Sequence, residues 1–339
     1  MTCHALQSAL IAVLLLLAVA PGLGAEEIPY DYNYGTGPLN IRQTSPGQSV
    51  RLTLPNVVPG TIRPGWAFNL GASTANVWLN EEEYLMDYEI LDLKLDVSYG
   101  FNKRFGVFGF LDRREFYGGI LDGFIDTFHE VFGIDGDGRE QWPKNETLVI
   151  LYDDQHQPVY RTSNVDDEYA NTGIGLALQY LLTRGGPAWI PAVSITGLVR
   201  YGLETPSSPQ APWDYALQLG ASKRLNSAWF LYAALGYTFF NQTKFDQLPY
   251  ALSDRAYSGM LAVSWNIKPH LPVLLQYQFH EGTVKKNLGT MGQPAHEITL
   301  GFKWLMDHGS TIEFGMTENF GVVSNSADFG IHLGYDYRF

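Results

Sequence analysis

The chain has 339 residues, among them 8 Trp, 20 Tyr, 19 Phe and 35 Gly, with a 17% charged fraction and a formal net charge of −13. A hydrophobic content of 45% excludes a disordered chain, and a mean hydropathy of −0.10 is too polar for a bundle of transmembrane helices. The acidic balance, without a basic stripe, argues against a nucleic-acid partner, and the one cysteine, Cys3, leaves neither a disulfide framework nor a cysteine-based zinc site.

The first element is an export signal. Ala9 to Ala20 form an apolar run too short to span a bilayer, Pro21 breaks it, and the small residues Gly22, Gly24 and Ala25 follow. Cleavage is placed after Gly24 or Ala25, giving a signal peptide over 1–24. The n-region Met1 to Ser8 is atypical in carrying no Lys or Arg, and the alternative is an uncleaved anchor. Residues 25–63 come next, with Pro29, Pro38, Pro46, Pro55 and Pro59 and little alternation beyond Ser49–Leu54. Topology makes this segment periplasmic, and two readings stay open: a plug folded up into a barrel lumen, or a leader into the first strand.

Residues 64–339 read as an all-β, closed antiparallel transmembrane barrel of about 12 strands. Trp229, Leu231, Ala233, Leu235, Tyr237 and Phe239 share one face of a strand; Ile298, Leu300, Phe302 and Trp304 alternate with Glu297, Thr299, Gly301 and Lys303. The same period of two runs through Leu91–Tyr99, Val273–His280 and Thr311–Met316. An apolar face, a polar-to-small face and aromatic ends suit a strand between lipid and lumen. A sheet in lipid must close, because lipid satisfies no backbone hydrogen bond. The segments are 66–78, 88–100, 103–115, 168–182, 188–203, 213–225, 228–241, 254–267, 271–282, 295–306, 310–320 and 327–339. Connections alternate between short turns (Asn102, Arg184–Pro187, Asn226–Ser227, Lys268–His270, Asp307–Gly309) and longer loops (79–87, 116–167, 204–212, 242–253, 283–294, 321–326). Short periplasmic turns and long extracellular loops are the outer-membrane pattern. The last strand alternates Ile331, Leu333, Tyr335, Tyr337 to a terminal Phe339, resembling the sequence read by the barrel-assembly machinery. The expected location is therefore the outer membrane of a Gram-negative cell, with membrane lipid and lipopolysaccharide as surroundings.

The loop 116–167 is too long for a plain hairpin. Within it, Gly119–Phe132 predicts a short amphipathic helix: Leu121, Phe124, Ile125, Phe128 and Phe132 on one face, Asp122, Asp126, His129 and Glu130 on the other. Phe124 and Phe128 are expected against the barrel mouth or in the lumen, with Asp122, Asp126, His129, Glu130 and Arg139 as binding or gating candidates. Residues 147–152 and 157–161 predict a small hairpin. The stretch from Gly118 to Gly133, GGILDGFIDTFHEVFG, ending in Gly138-Arg139, resembles the signature loop of a proteobacterial family known only as a domain of unknown function. Gly37-Pro38-Leu39-Asn40, with Pro46 and Leu54-Pro55, resembles that family's N-terminal pattern. The resemblance implies an outer-membrane-type barrel and no known activity.

Chemistry candidates are few, and no cofactor is expected. Asp135 and Asp137 sit in a Gly-rich turn but lack the spaced acids and distal Glu of a calcium loop. Asp126 and His129, one helical turn apart, are placed to orient each other as an acid–base pair. A hairpin centred on Pro269 sets Ser258 opposite His280 near the outer rim, the minimum for an acyl-transfer nucleophile. The same parity sets Lys303 opposite Glu313, Phe302 opposite Phe314 and Leu300 opposite Met316. Asp92, Lys94, Asp96, Arg200, Lys303 and Glu313 are expected to line the lumen with both charge signs, so strong ion selectivity is not indicated. Leu235 points to lipid and Ala234 to the lumen, where an arginine is expected to be milder if water is there. These features support a channel or transporter for small hydrophobic or amphiphilic solutes. An outer-membrane lipid hydrolase using Ser258 and His280, or a structural or adhesive barrel, are the alternatives.

Overall fold

The computed structural model describes residues 31–46, 51–52, 57–60, 63–119, 121–123, 125, 127, 142–246, 248–282, 284, 288–321 and 324–339. The strands in chain order are β1 (Gly65–Asn80), β2 (Tyr84–Gly100), β3 (Phe105–Tyr117), β4 (Leu148–Tyr152), β5 (Pro158–Thr162), β6 (Asn171–Thr183) and β7 (Ala192–Glu204). They continue as β8 (Trp213–Arg224), β9 (Trp229–Phe240), β10 (Arg255–Lys268), β11 (Leu271–His280), β12 (Ala295–Leu305), β13 (Ser310–Asn319) and β14 (Phe329–Arg338). All pair antiparallel in one sheet. β1 bonds to both β2 and β14, which closes a ring of twelve strands, while β4 and β5 add outside the ring on β2.

The alternation is realised as inside against outside. On β9, Trp229, Leu231, Leu235 and Phe239 are exposed on the outer surface, whereas Phe230, Tyr232, Ala234 and Phe240 are buried inside. Aromatic rings edge both ends of the outer belt. Trp66 lies 4.8 Å from Tyr99 and Trp229 5.4 Å from Trp265 at the short-turn end; Tyr201 lies 4.7 Å from Trp213 at the other. Two short turns use the same device, an Asn side chain accepting from the backbone. Asn102 Oδ1 takes the N–H groups of Arg104 and Phe105 (2.8 and 3.0 Å), and Asn226 Oδ1 those of Ala228 and Trp229 (2.8 and 3.0 Å). The expected registers are made: Lys303 opposes Glu313, Phe302 opposes Phe314, Leu300 opposes Met316, and Ser258 opposes His280.

Three expectations change. Residues 79–87 do not form a loop. β1 and β2 run on as a ribbon joined at 81–83, because β4 pairs with Tyr84–Asp87 and both faces of the ribbon are covered. Residues 168–170 begin no strand; Val165–Tyr169 is a short helix, and β6 starts at Asn171. Asp122 does not lie on a solvated face. It is buried, accepting from Asn76 Nδ2 (3.0 Å) and the Asn145 N–H (2.8 Å). Leu121 and Ile125 beside it pack on Phe329, Met316 and Ile331, residues of the outer face of β13 and β14. The start of this segment therefore docks on the outside of the wall. The expected hairpin is present as β4 and β5. The export signal and Phe124, Asp126, Phe128, His129, Glu130, Asp135, Asp137 and Arg139 lie outside the described residues.

Candidate functional site: the N-terminal segment inside the barrel

The lumen is occupied by the segment before β1, which runs up one side and down the other. The ascending limb starts at the short-turn end, where Asn33 donates to the Arg184 carbonyl (2.9 Å) and accepts from the Arg224 N–H (3.1 Å). Tyr34 packs with Val58, Phe230, Tyr232, Ala234 and Met260, and the Tyr232 hydroxyl donates to the Tyr34 carbonyl (2.8 Å) while accepting from the Gly37 N–H (3.1 Å). The side chain of Gln276 then stands in for a strand, accepting from the Leu39 N–H (2.9 Å) and donating to its carbonyl (3.2 Å). Gln278 repeats half of this at the Ile41 carbonyl (3.2 Å).

Above this the contacts become ionic. Arg42 pairs with Asp92 and lies 3.3 Å from Asp112; Arg114 joins Asp92 (2.9 Å) and Arg200 joins Asp112 (2.6 Å). Thr44 donates its N–H (2.9 Å) and hydroxyl (2.7 Å) to Glu297. The predicted lumen residues are therefore charged and inward, all but Asp96 are buried, and they bond to one another and to the segment. Lys303 bridges Glu313 (2.6 Å) and the Thr36 carbonyl (3.1 Å); Glu313 accepts from the Asn40 N–H (3.0 Å); Lys94 pairs with Asp96 (2.9 Å) and donates to Asn40 (3.2 Å).

The descending limb is held mainly through its backbone. Arg51 donates to the Ser253 carbonyl and lies over the Phe240 ring, and the Leu52 N–H donates to Asp214 (2.9 Å). The Val57 and Val58 carbonyls accept from Gln218 and Gln179, at 3.0 Å each. Close approach is made by glycines on the inner wall. A Cβ at Gly220 would stand 2.5 Å from the Val57 carbonyl oxygen, and one at Gly301 2.7 Å from Leu39 Cδ1. Alternation in the sequence marks such positions as inward, but not that another stretch of chain lies on them.

Two spaces remain. At the short-turn end, a cavity of about 350 Å³ is bounded by Tyr34, Asn40, Lys94, Lys303, Asp336 and Arg338. At the long-loop end the lumen is roofed by apolar residues from the β1–β2 ribbon, the Val165–Tyr169 helix and the loops around 245–252 and 284–291. A pocket of about 50 Å³ lies within that roof, with Pro46 among its lining. Burial pushes the hydroxyls of Tyr169 and Tyr250 above the usual phenol range, so both are neutral there.

The rim pair of Ser258 and His280 is opposed in register, yet His280 Nδ1 is bonded to the Glu281 carbonyl (2.7 Å) and no hydrogen bond joins the two side chains among the described residues. A different pair is bonded: Ser73 Oγ lies 2.8 Å from His332 Nδ1, and His332 Nε2 lies 3.8 Å from Glu313. That carboxylate is committed to Lys303 and the N-terminal segment. No cluster of three metal-ligating side chains is present among the described residues.

Residues 16–339 match a family described as Protein of unknown function (DUF3187). A search of curated proteins gave no match. Among solved structures, an outer membrane channel from Pseudomonas putida F1 covers 84% of this chain and 100% of its own at 12% identity, with a TM-score of 0.51. The transport unit of the autotransporter AIDA-I from Escherichia coli covers 93% of this chain and 100% of its own at 10% identity, TM-score 0.49. The toluene transporter TbuX from Ralstonia pickettii covers 92% and 98% at 10% identity, TM-score 0.41. The first likeness is one of fold, that of a closed outer-membrane barrel; the lower scores of the other two support no inference.

Proposed function

The chain belongs to the DUF3187 family of proteins of unknown function, and we propose that it is an outer-membrane channel for small hydrophobic or amphiphilic solutes, held shut by its own N-terminal segment. The observation that carries this reading is the kind of bond holding the ascending limb. From Leu39 to Thr44 it is fixed by wall side chains (Gln276, Glu313, Asp92, Asp112, Glu297) and by no strand pairing. Such a segment leaves and returns without unzipping the barrel. A twelve-stranded ring is wider than an eight-stranded one, which wall side chains fill. Here a length of chain occupies the space instead.

The long-loop end faces outward in this reading and the short turns face the periplasm. The apolar roof favours hydrophobic solutes at the outer mouth. With the start of the long loop docked on the outer wall, the N-terminal segment is the gate in this reading. The exposed apolar belt meets lipid and lipopolysaccharide chains, and Phe339 is the end offered to the assembly machinery. The test is conductance in a planar bilayer. The intact chain should be mostly closed with brief openings, and a chain lacking 25–63 should pass a large steady current. No current from the shortened chain would leave a structural barrel.

A further inference from the structure

We propose that the apolar pocket in the roof is the entry site for an uncharged apolar molecule about the size of one aromatic ring, and that filling it displaces Pro46 and so loosens the N-terminal segment. This rests on the reading of the barrel as a channel shut by that segment.

The chemistry of the lining selects the ligand. Met86, Tyr88, Phe116, Val149 and Met291 present carbon, sulfur and ring faces from β2, β3, β4 and a loop. The one hydroxyl there with a described bond, that of Tyr169, is spent on Tyr160 at 2.8 Å. A charged solute would lose its water there and meet no side chain of opposite charge, only the hydroxyls of Tyr88, Tyr169 and Tyr250. An apolar one gains about 25 cal/mol for each Å² it buries.

Size then couples the site to the segment. The pocket holds about 50 Å³, whereas a cavity known to take up benzene holds about 150 Å³. A ring enters only if a lining group withdraws. Met86, Tyr88 and Phe116 are on barrel strands, Val149 is in a strand paired to β2, and Leu252 and Val284 are bridged to each other. The Met291 loop is tied down by Asn325, which donates to the Thr290 and Pro294 carbonyls (3.1 Å each). Pro46 is on no strand and has no backbone N–H to bond. It is also the lining group that belongs to the N-terminal segment, so its displacement is the one that reaches that segment.

Pro46 lies two residues beyond Thr44 and four beyond Arg42, and consecutive Cα atoms are about 3.8 Å apart. A shift of a few ångströms at Pro46 therefore reaches the Thr44–Glu297 and Arg42–Asp92 bonds. Those bonds sit in an incompletely satisfied neighbourhood. Among the described residues, Arg114 Nε and Nη1, Glu297 Oε2 and the whole Gln43 amide are buried without a hydrogen bond. Rearrangement there sacrifices less than it would in a fully bonded network. Linkage is reciprocal, so loosening the limb from below must tighten binding in the roof.

The experiment uses the full chain in nanodiscs, with fluorobenzene as probe, followed by fluorine NMR and by maleimide labelling of a Ser45→Cys reporter. Fluorobenzene should give a saturable bound resonance and raise the labelling rate at least fivefold. Val149→Phe fills the pocket and should abolish both effects. Heat-modifiable mobility on gels checks that its barrel has folded. Met291→Ala enlarges the pocket and should bind the probe more tightly. Arg42→Ala should label fast without probe and bind fluorobenzene several-fold more tightly. An undiminished bound resonance in folded Val149→Phe would overturn the site, and saturable binding without faster labelling would overturn the coupling. If Arg42→Ala instead labels no faster and the chain lacking 25–63 passes no current, the shut-channel reading itself fails.

Discussion

In the proposed channel, opening turns on Arg42. It lies between Asp92 and Asp112, and each of those acids has a second cation from the wall, Arg114 at 2.9 Å and Arg200 at 2.6 Å. Replacing Arg42 by Met therefore leaves no wall carboxylate alone. The limb loses charge-assisted bonds worth about 1.5–3 kcal/mol while the barrel keeps its own. The expected outcome is a rise in open probability of roughly tenfold or more at unchanged urea stability, read from single-channel records. Gln276→Leu is the neutral counterpart. It removes the Gln276 bonds to the Leu39 N–H and carbonyl, each worth about 0.5–1.5 kcal/mol to the limb. The same records should show longer openings. Openings as rare as in the native chain would mean that the limb does not gate there.

At the scale of the strand, the two faces of β9 meet different surroundings, and the inner one is packed against protein. Leu235 is exposed on the lipid side, while Ala234 packs with Tyr34 and Val58 of the N-terminal segment. Leu235→Arg should cost about 2–4 kcal/mol in urea titrations of the protein in lipid, because it places a cation in hydrocarbon. The expectation that Ala234→Arg is milder held only for a wet lumen. In the intact chain that arginine collides with the segment and should destabilise strongly; in a chain lacking 25–63 it should be nearly silent. Equal cost of Ala234→Arg in both chains would mean that the segment is not what packs there. β12 and β13 show how far parity reaches. Once Phe302 and Phe314 both faced lipid, a three-residue turn set Lys303 against Glu313.

For the whole molecule, closure and contents are separate matters. The ring closes through β1 and β14, from Ala67 opposite Arg338 to Asn76 opposite Phe329, and the Phe339 N–H donates to the Trp66 carbonyl (3.2 Å) just beyond. Phe339 itself is 81% exposed. Removing it should therefore leave the folded barrel's urea midpoint nearly unchanged while lowering its yield in the outer membrane several-fold, measured by membrane fractionation. A fall in the midpoint matching the fall in yield would assign Phe339 to stability and not to assembly.

The barrel was readable along the chain because its cause is local and repeated. Every strand meets lipid on one side, so Leu231, Leu235, Leu300 and Leu333 record the outer face at every second residue, and turn residues such as Asn102 and Asn226 punctuate it. The inner face carries no such record. Asp92, Arg114, Gln276 and Glu297 have the polarity of a wet pore, and the same side chains serve to grip a segment. Residues 31–46 lack periodicity because wall side chains, not a neighbouring strand, satisfy their backbone. Leu39 and Arg42 make their bonds with residues tens to hundreds of positions away. Contacts across a lumen depend on which strands the closed ring brings face to face, and that is settled only when β1 meets β14.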